Sequence, residues 1–179
     1  MRLVFSDLHL HTWNYGATIS AEGYNSRLAS QHAALIEMAD FAQENNVKYV
    51  YFTGDLFHTH GQIAVEALSV AERAFNYMKE RGIKLRFLVG NHDYVNRSGS
   101  INSVDWLSQY GKVISRSTQN GPIGTYWEDD GMEFWGLSYT ESEETIKKFL
   151  GDIVTEGSTV LLHHGVNGVP LGSGYVMND

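Results

Sequence analysis

The sequence predicts an α/β domain with a mostly parallel sheet at its start and an antiparallel part added later. Two observations predict it. Short β-branched or aromatic runs alternate with helix-period segments through the first 90 residues, the order that places helices between parallel strands. Further on, two apolar runs flank an acidic turn at Asp129–Gly131, which reads as a hairpin.

Each element follows from its residues. Residues 2–5 (Arg-Leu-Val-Phe) read as a short buried strand, and residues 6–25 as a polar, glycine-containing loop. Residues 26–45 read as a helix, with Ser26 as N-cap and Leu28, Leu35, Met38, Ala39 and Ala42 on its apolar face. VKYVYFT (47–53) is a strand. A second helix covers 63–81, where Ile63, Ala67, Val70, Ala71, Ala74 and Met78 recur at helical spacing and Gly82 is the C′ stop. KLRFLV (84–89) is a third strand, and 101–110 reads as a short helix. The hairpin occupies 124–137. ESEETIKKFLGDI (141–153) is a helix with acids first and lysines later, which suits the helix dipole. STVLL (158–162) is the last strand.

Composition narrows the class. A chain of 179 residues is usually one domain with a real core. Apolar residues make up 42% and charged residues 19%, as in ordinary globular proteins. No apolar run approaches the ~20 residues that span a membrane. The N-terminus turns polar too soon for a signal peptide, and no cysteine is present to form disulfides or thiolate metal sites. Cytoplasmic residence is the expectation. The net charge of −8 argues against a wide basic grip on nucleic acid. It does not exclude a nucleic-acid enzyme, because divalent cations bring positive charge of their own to a carboxylate site.

The chemistry lies after the strands. The first runs into SDLHLH, which supplies Asp7, His9 and His11. The second runs into GDLFHTH, with Asp55, His58 and His60. The third runs into GNHD, with Asn91, His92 and Asp93. The last runs into His163 and His164. Sites in open α/β sheets form outside the carboxyl ends of the strands. Four strand ends would then deliver carboxylates, imidazoles and an amide to one rim. Those donors suit Mn²⁺, Fe²⁺ or Zn²⁺ better than Ca²⁺. One carboxylate can bridge two ions, and such a pair activates water and stabilises charge on a phosphate under in-line attack. A histidine outside the metals can protonate the leaving oxygen. Gly54 and Gly90 precede the ligands, where each would let the backbone turn sharply out of its strand. A single Asp-x-His says little, and an acid after a strand is often a turn residue; the ordered set is the specific signal.

That set resembles the calcineurin-like metallophosphoesterases, whose pattern runs Asp-x-His, Gly-Asp-x-x-(Asp or His), Gly-Asn-His-(Asp or Glu), a lone His, then Gly-His-x-His. Four blocks stand in order from Asp7 to His163. The resemblance implies a four-layer sandwich of two mixed sheets flanked by helices, over a single domain at 1–179. It implies that Asp7 and His9 hold a first metal, Asp55 bridges, and Asn91 and His163 hold a second. Two divalent ions are implied, Mn²⁺ before Fe²⁺ or Zn²⁺. His92 would be the uncoordinated catalytic histidine. His58 stands where ordinary phosphatases carry Asp and would act near the scissile phosphate. That residue, WGLSY (135–139) and LLHHGV resemble the SbcD-type DNA exonucleases of double-strand-break repair, and viral recombination nucleases of the same type. This branch implies a DNA substrate, a two-metal-activated hydroxide, a coiled-coil ABC-type ATPase partner and a homodimer, with no membrane attachment.

The remaining residues read more plainly. His11, His60 and His164 belong on the rim, His32 in a helix, and Asp93 as a turn cap or as support for a neighbour. Arg97 reads as an exposed loop arginine. Trp13, Tyr15 and Tyr94 could stack on bases or simply pack. The fifth block, Gly-His-x-His, is absent, and GSGYVMND does not resemble a finished terminus. The expectation is therefore a fragment, lacking the closing strands, a capping domain and one ligand from each metal. A small-molecule phosphatase or cyclic-nucleotide phosphodiesterase of the same fold, and a non-catalytic remnant with a weakened metal site, stand as alternatives.

Overall fold

The computed structural model describes residues 1–21, 23–96, 99–115 and 123–165. Arg97 and the GSGYVMND segment lie outside the described residues. Strands β1 (Leu3–Phe5), β2 (Tyr49–Phe52), β3 (Lys84–Leu88) and β4 (Gly111–Ile114) form one sheet in that order, with all three pairings parallel. Strands β5 (Thr125–Asp129), β6 (Met132–Leu137) and β7 (Thr159–Leu162) form the other. There β5 and β6 are antiparallel, and β7 joins β6 in parallel. Helices α1 (Ser26–Glu44) and α2 (Val65–Glu80) follow β1 and β2. A shorter α3 (Glu143–Lys148) runs into a π-helical turn, Phe149–Ile153.

Every residue of β2 is buried, because both faces of its sheet are covered. Val50 and Phe52 join the core shared with Leu35, Ala39 and Ala42 of α1 and Ala67, Val70, Ala71, Ala74, Phe75 and Met78 of α2. Tyr49 and Tyr51 face the other way and pack with Leu88, Ile114, Trp127, Phe134 and Leu161 between the sheets. Beyond the second sheet, the Phe149 ring meets Trp135 edge-on. Two sheets with flanking helices is the architecture the motifs imply.

Local departures have physical causes. The cap of α1 is Asn25, whose side chain accepts from the Arg27 and Leu28 N–H groups, and not the expected Ser26. The Ser26 hydroxyl is engaged instead by the Thr18 N–H, which ties the preceding loop to the helix. Strand β4 went unforeseen because four residues show too little pattern. The expected helix at 101–110 is a 3-10 turn, Asp105–Gln109. The helix expected across 141–153 keeps α geometry for six residues and then widens.

Asp129, read as part of an acidic turn, ends β5 as a buried carboxylate. The turn proper is Asp130–Gly131, both at positive φ, as a two-residue hairpin loop requires. Asp129 takes both arms of the Arg86 guanidinium, the Trp127 Nε1–H at 2.9 Å and the Tyr51 hydroxyl at 3.0 Å. Burial, with help from Asp129, raises the Tyr51 pKa, so the phenol stays a donor. Tyr51→Phe removes one donor and leaves Asp129 partnered; a loss of about 1 kcal/mol is expected from urea unfolding.

Candidate active site

The loops after β1 and β2 lie side by side. The Asp7, His9 and Leu10 N–H groups donate to the carbonyls of Gly54, Asp55 and Leu56 at 3.0, 3.1 and 2.8 Å. Leu10, Leu56 and Phe57 are buried between the charged residues and anchor both loops in the core. SDLHLH and GDLFHTH thus carry apolar anchors between their polar residues. Asp7, His9 and Asp55 all have positive φ, at 56°, 44° and 64°. Each non-glycine residue held there costs of order 1–2 kcal/mol, a pattern concentrated at functional sites.

The loops bring two donor groups together around Asp55. On one side, His9 Nε2 stands 3.8 Å from Asp7 Oδ1 and 3.6 Å from Asp55 Oδ2. On the other, His163 Nε2 stands 3.4 Å from the same Asp55 Oδ2 and 3.0 Å from Asn91 Oδ1. His163 Nδ1 donates to the Thr53 carbonyl at 2.7 Å, which turns Nε2 toward the acceptors. Burial lowers the His163 pKa, but the Asp55 carboxylate and the Thr53 carbonyl outweigh it and raise it overall. Burial opposes the Asp55 charge in turn, yet His163 and the His92 N–H hold its carboxyl below the ordinary aspartate value.

These residues fit divalent cations. His163 Nε2 faces the Asn91 and Asp55 oxygens across a space that a proton on Nε2 fills in the metal-free chain and that a divalent cation would fill with one nitrogen and two oxygen ligands. The first group behaves alike: its atoms stand just too far apart for hydrogen bonds. They lie close to the roughly 3–3.5 Å between ligands that each sit about 2.1 Å from one ion. Asp7, His9 and Asp55 together can hold a metal ion.

Histidines line the same rim. The His92 Nδ1–H donates to the His58 carbonyl at 2.7 Å. His60 Nδ1 meets the Tyr94 carbonyl at 3.1 Å, and its ring stacks on His92 at 4.5 Å. His58 lies 4.5 Å from the Trp13 ring and 5.3 Å from His11. Burial and then the imidazoles of His11, His9, His92 and His60 lower the His58 pKa, favouring the neutral ring. His164 turns away and stacks on Tyr139 at 5.4 Å.

Asp93 fixes the frame. It is fully buried, and its carboxylate accepts three backbone N–H groups, from Asp55, Leu56 and Gly90, each at 2.9 Å. Gly54, at φ +114°, has a sharp turn and also no room: a Cβ there would lie 2.5 Å from His163 Nδ1. Gly90 differs from expectation, since its need is space and not positive φ; a Cβ would lie 2.3 Å from Asp55 Oδ1 and 2.5 Å from the Asp55 N. Gly90→Ala must push Asp55 aside. A loss of about 1–3 kcal/mol is expected from overpacking, read by urea unfolding, with weaker Mn²⁺ binding in calorimetry.

The calcineurin-like phosphoesterase family model matches residues 2–179. The chain belongs to the calcineurin-like phosphoesterases. Within this hydrolase family, curated relatives are distant. YhaO of Bacillus subtilis, an uncharacterized metallophosphoesterase, is 28% identical over 102 residues, 56% of this chain and 24% of that protein. The DNA double-strand break repair protein Mre11 of Methanopyrus kandleri is 24% identical over 130 residues, 68% of this chain and 29% of that protein. This phosphoesterase chain thus spans about a quarter of the length of those relatives. A dimetal phosphatase from Danio rerio aligns structurally over 83% of this chain and 50% of that one, with 14% identity and a TM-score of 0.42. No helix among the described residues is long and apolar enough to cross a membrane.

Proposed function

We propose that this phosphoesterase hydrolyses phosphodiesters with two divalent ions and acts on DNA, in the manner of the SbcD-type exonucleases. The observation that carries the reading is Asp55 Oδ2, which faces His9 on one side and His163 on the other. In this reading Asp7 and His9 hold the first ion, Asp55 both, and Asn91 and His163 the second. The bound pair supplies Lewis-acid stabilisation of charge on the phosphate and a usable nucleophile at neutral pH. His92, oriented through Nδ1 by the His58 carbonyl, keeps Nε2 for the proton of the leaving oxygen. His58 faces the substrate phosphate. Mn²⁺ is the ion expected.

Support for DNA comes from two sides. One curated relative is named for DNA double-strand break repair. Beside the site, the Trp13 ring packs on His58, with the Arg27 guanidinium 5.4 Å from its centroid, an aromatic surface on which a base could stack. A coiled-coil ABC-type ATPase partner and a homodimer belong to the same proposal, on resemblance alone.

A cleft of about 380 Å³ favours a second reading, a small-molecule phosphatase or cyclic-nucleotide phosphodiesterase. It adjoins Asn91, and Glu141 is its acidic member. Assay of the Mn²⁺-loaded protein on bis-p-nitrophenyl phosphate, p-nitrophenyl phosphate, a 3′,5′-cyclic nucleotide and end-labelled single-stranded DNA separates the two. Shortened DNA and a preference for the diester are expected. Preference for the monoester or the cyclic nucleotide, with intact DNA, would select the second reading. His92→Ala should cost about 10²–10⁴-fold, the usual worth of a general acid. Inert protein in every assay would leave only a binding role.

A further inference from the structure

We infer that His9, His58 and His92 form an imidazole-only site for Zn²⁺ that shares His9 with the first carboxylate-rich position, and that its occupation silences hydrolysis. Each of the three offers a nitrogen, and the three nitrogens lie within 4.8 Å of one another. The rings make a closed triangle, with centroids 5.6 Å (His9–His58), 4.8 Å (His9–His92) and 5.7 Å (His58–His92) apart. All three are half-buried, so an ion can reach them from solvent. Ligands around tetrahedral zinc, each about 2.0–2.1 Å from the ion, stand roughly 3.4 Å apart. Closing the triangle therefore asks for ring movements of about an ångström, within the reach of side-chain rotation.

His92 is prepared for the role. Its Nδ1–H is committed to the His58 carbonyl, so Nε2 is the nitrogen left to bind, as in metal-ligating histidines whose other nitrogen is fixed by a carbonyl. Donor chemistry then separates the sites. The positions around Asp55 mix one imidazole with carboxylate or amide oxygens and so accept Mn²⁺ as well as Zn²⁺, whereas three imidazoles with no carboxylate disfavour Mn²⁺ and favour Zn²⁺, Cu²⁺ or Ni²⁺. His9 belongs to both groups. Zinc on the triangle thus withdraws a residue from the first metal position and occupies the nitrogen of His92. The binding half of this inference rests on the geometry alone. The inhibition half rests on the proposed role of His92.

The test uses the whole chain preloaded with Mn²⁺. Zn²⁺ is titrated in by calorimetry, and Co²⁺ serves as a visible-spectrum probe of imidazole coordination. One equivalent of Zn²⁺ whose affinity depends on His58 is expected, with loss of Mn²⁺ from the position that shares His9. His58→Ala and His58→Gln should weaken it at least about 10-fold and remove the Co²⁺ band, with circular dichroism and Mn²⁺ binding unchanged. Equal Zn²⁺ stoichiometry and affinity in both variants would overturn the site. In hydrolysis assays with Mn²⁺, excess Zn²⁺ should inhibit the parent chain, and His58→Gln should resist it through whatever activity it retains. Undiminished inhibition of the variant would overturn the inhibition half. If the parent chain hydrolyses nothing, the proposed function fails while the calorimetric result still decides the site.

Discussion

Asp55→Asn is expected to lower phosphoester hydrolysis by about 10³-fold or more while leaving the fold nearly unchanged. The substitution separates two duties of one side chain. Oδ1 accepts the His92 N–H at 2.9 Å and helps to hold the third loop in place. Oδ2 faces His9 and His163 at 3.6 and 3.4 Å. An asparagine can keep its carbonyl on the His92 N–H and turn its NH₂ toward the two imidazoles. The loop bond survives, but the negative charge shared by both proposed metal positions is gone, and a donor now points where a cation would sit. Metal stabilisation of a phosphoryl transition state is worth several kcal/mol, and about 4 kcal/mol corresponds to 10³ in rate. The checks are kcat/KM on bis-p-nitrophenyl phosphate with Mn²⁺, and urea unfolding without metal. A variant that keeps a tenth of the parent rate would remove Asp55 from the bridging role.

Much of the candidate site is legible because the chemistry it suggests restricts residue type. Asp7, His9, Asp55, Asn91 and His163 stand out as polar residues directly after apolar strands, and the structure gathers all five within one cluster. Strand–helix alternation likewise announced β1, β2 and β3 with α1 and α2. The elements missed or shortened were those with too few residues to show a period, such as β4, or those whose form is set by distant partners. Asp129 illustrates the second kind. Its neighbours Asp130 and Gly131 spell a turn, and the sequence holds no sign that Arg86, 43 positions away, pulls Asp129 into the interior. The positive φ of Asp7, His9 and Asp55 is equally hidden: Asp and His tolerate that region better than most residues, but nothing local in SDLH or GDL marks which of them adopt it. The same holds for crowding at Gly90, which exists only because the loops after β2 and β3 touch.

Strain of that kind has to be held by something, and the structure puts the task on Asp93. Asp93→Ala is expected to cost about 3–5 kcal/mol. The carboxylate is the acceptor for the N–H groups of Asp55, Leu56 and Gly90, so a single side chain joins the loops after β2 and β3. Burial pushes its pKa up, against the pull of these three donors. Removing it strands three buried N–H groups at once. Each is worth about 1–3 kcal/mol unpaired, and the sum is discounted because neighbours in one network are not additive. The loss is a large share of the 5–15 kcal/mol that holds a typical domain. Asp93→Asn should fall between, because one amide oxygen can still accept while the NH₂ meets at least one N–H head-on. Urea unfolding of the three proteins gives the order, and Mn²⁺ calorimetry on the folded fraction gives the consequence for the site. With Asp93 altered, Asp55 loses part of what holds it at φ 64°, the His9 N–H to its carbonyl and the His92 N–H to Oδ1 remaining, so metal affinity should fall in Asp93→Asn even where the protein is fully folded. Equal stability of parent and alanine variant would mean that the three N–H groups find other acceptors, and the frame would then belong to the buried Leu10, Leu56 and Phe57 alone.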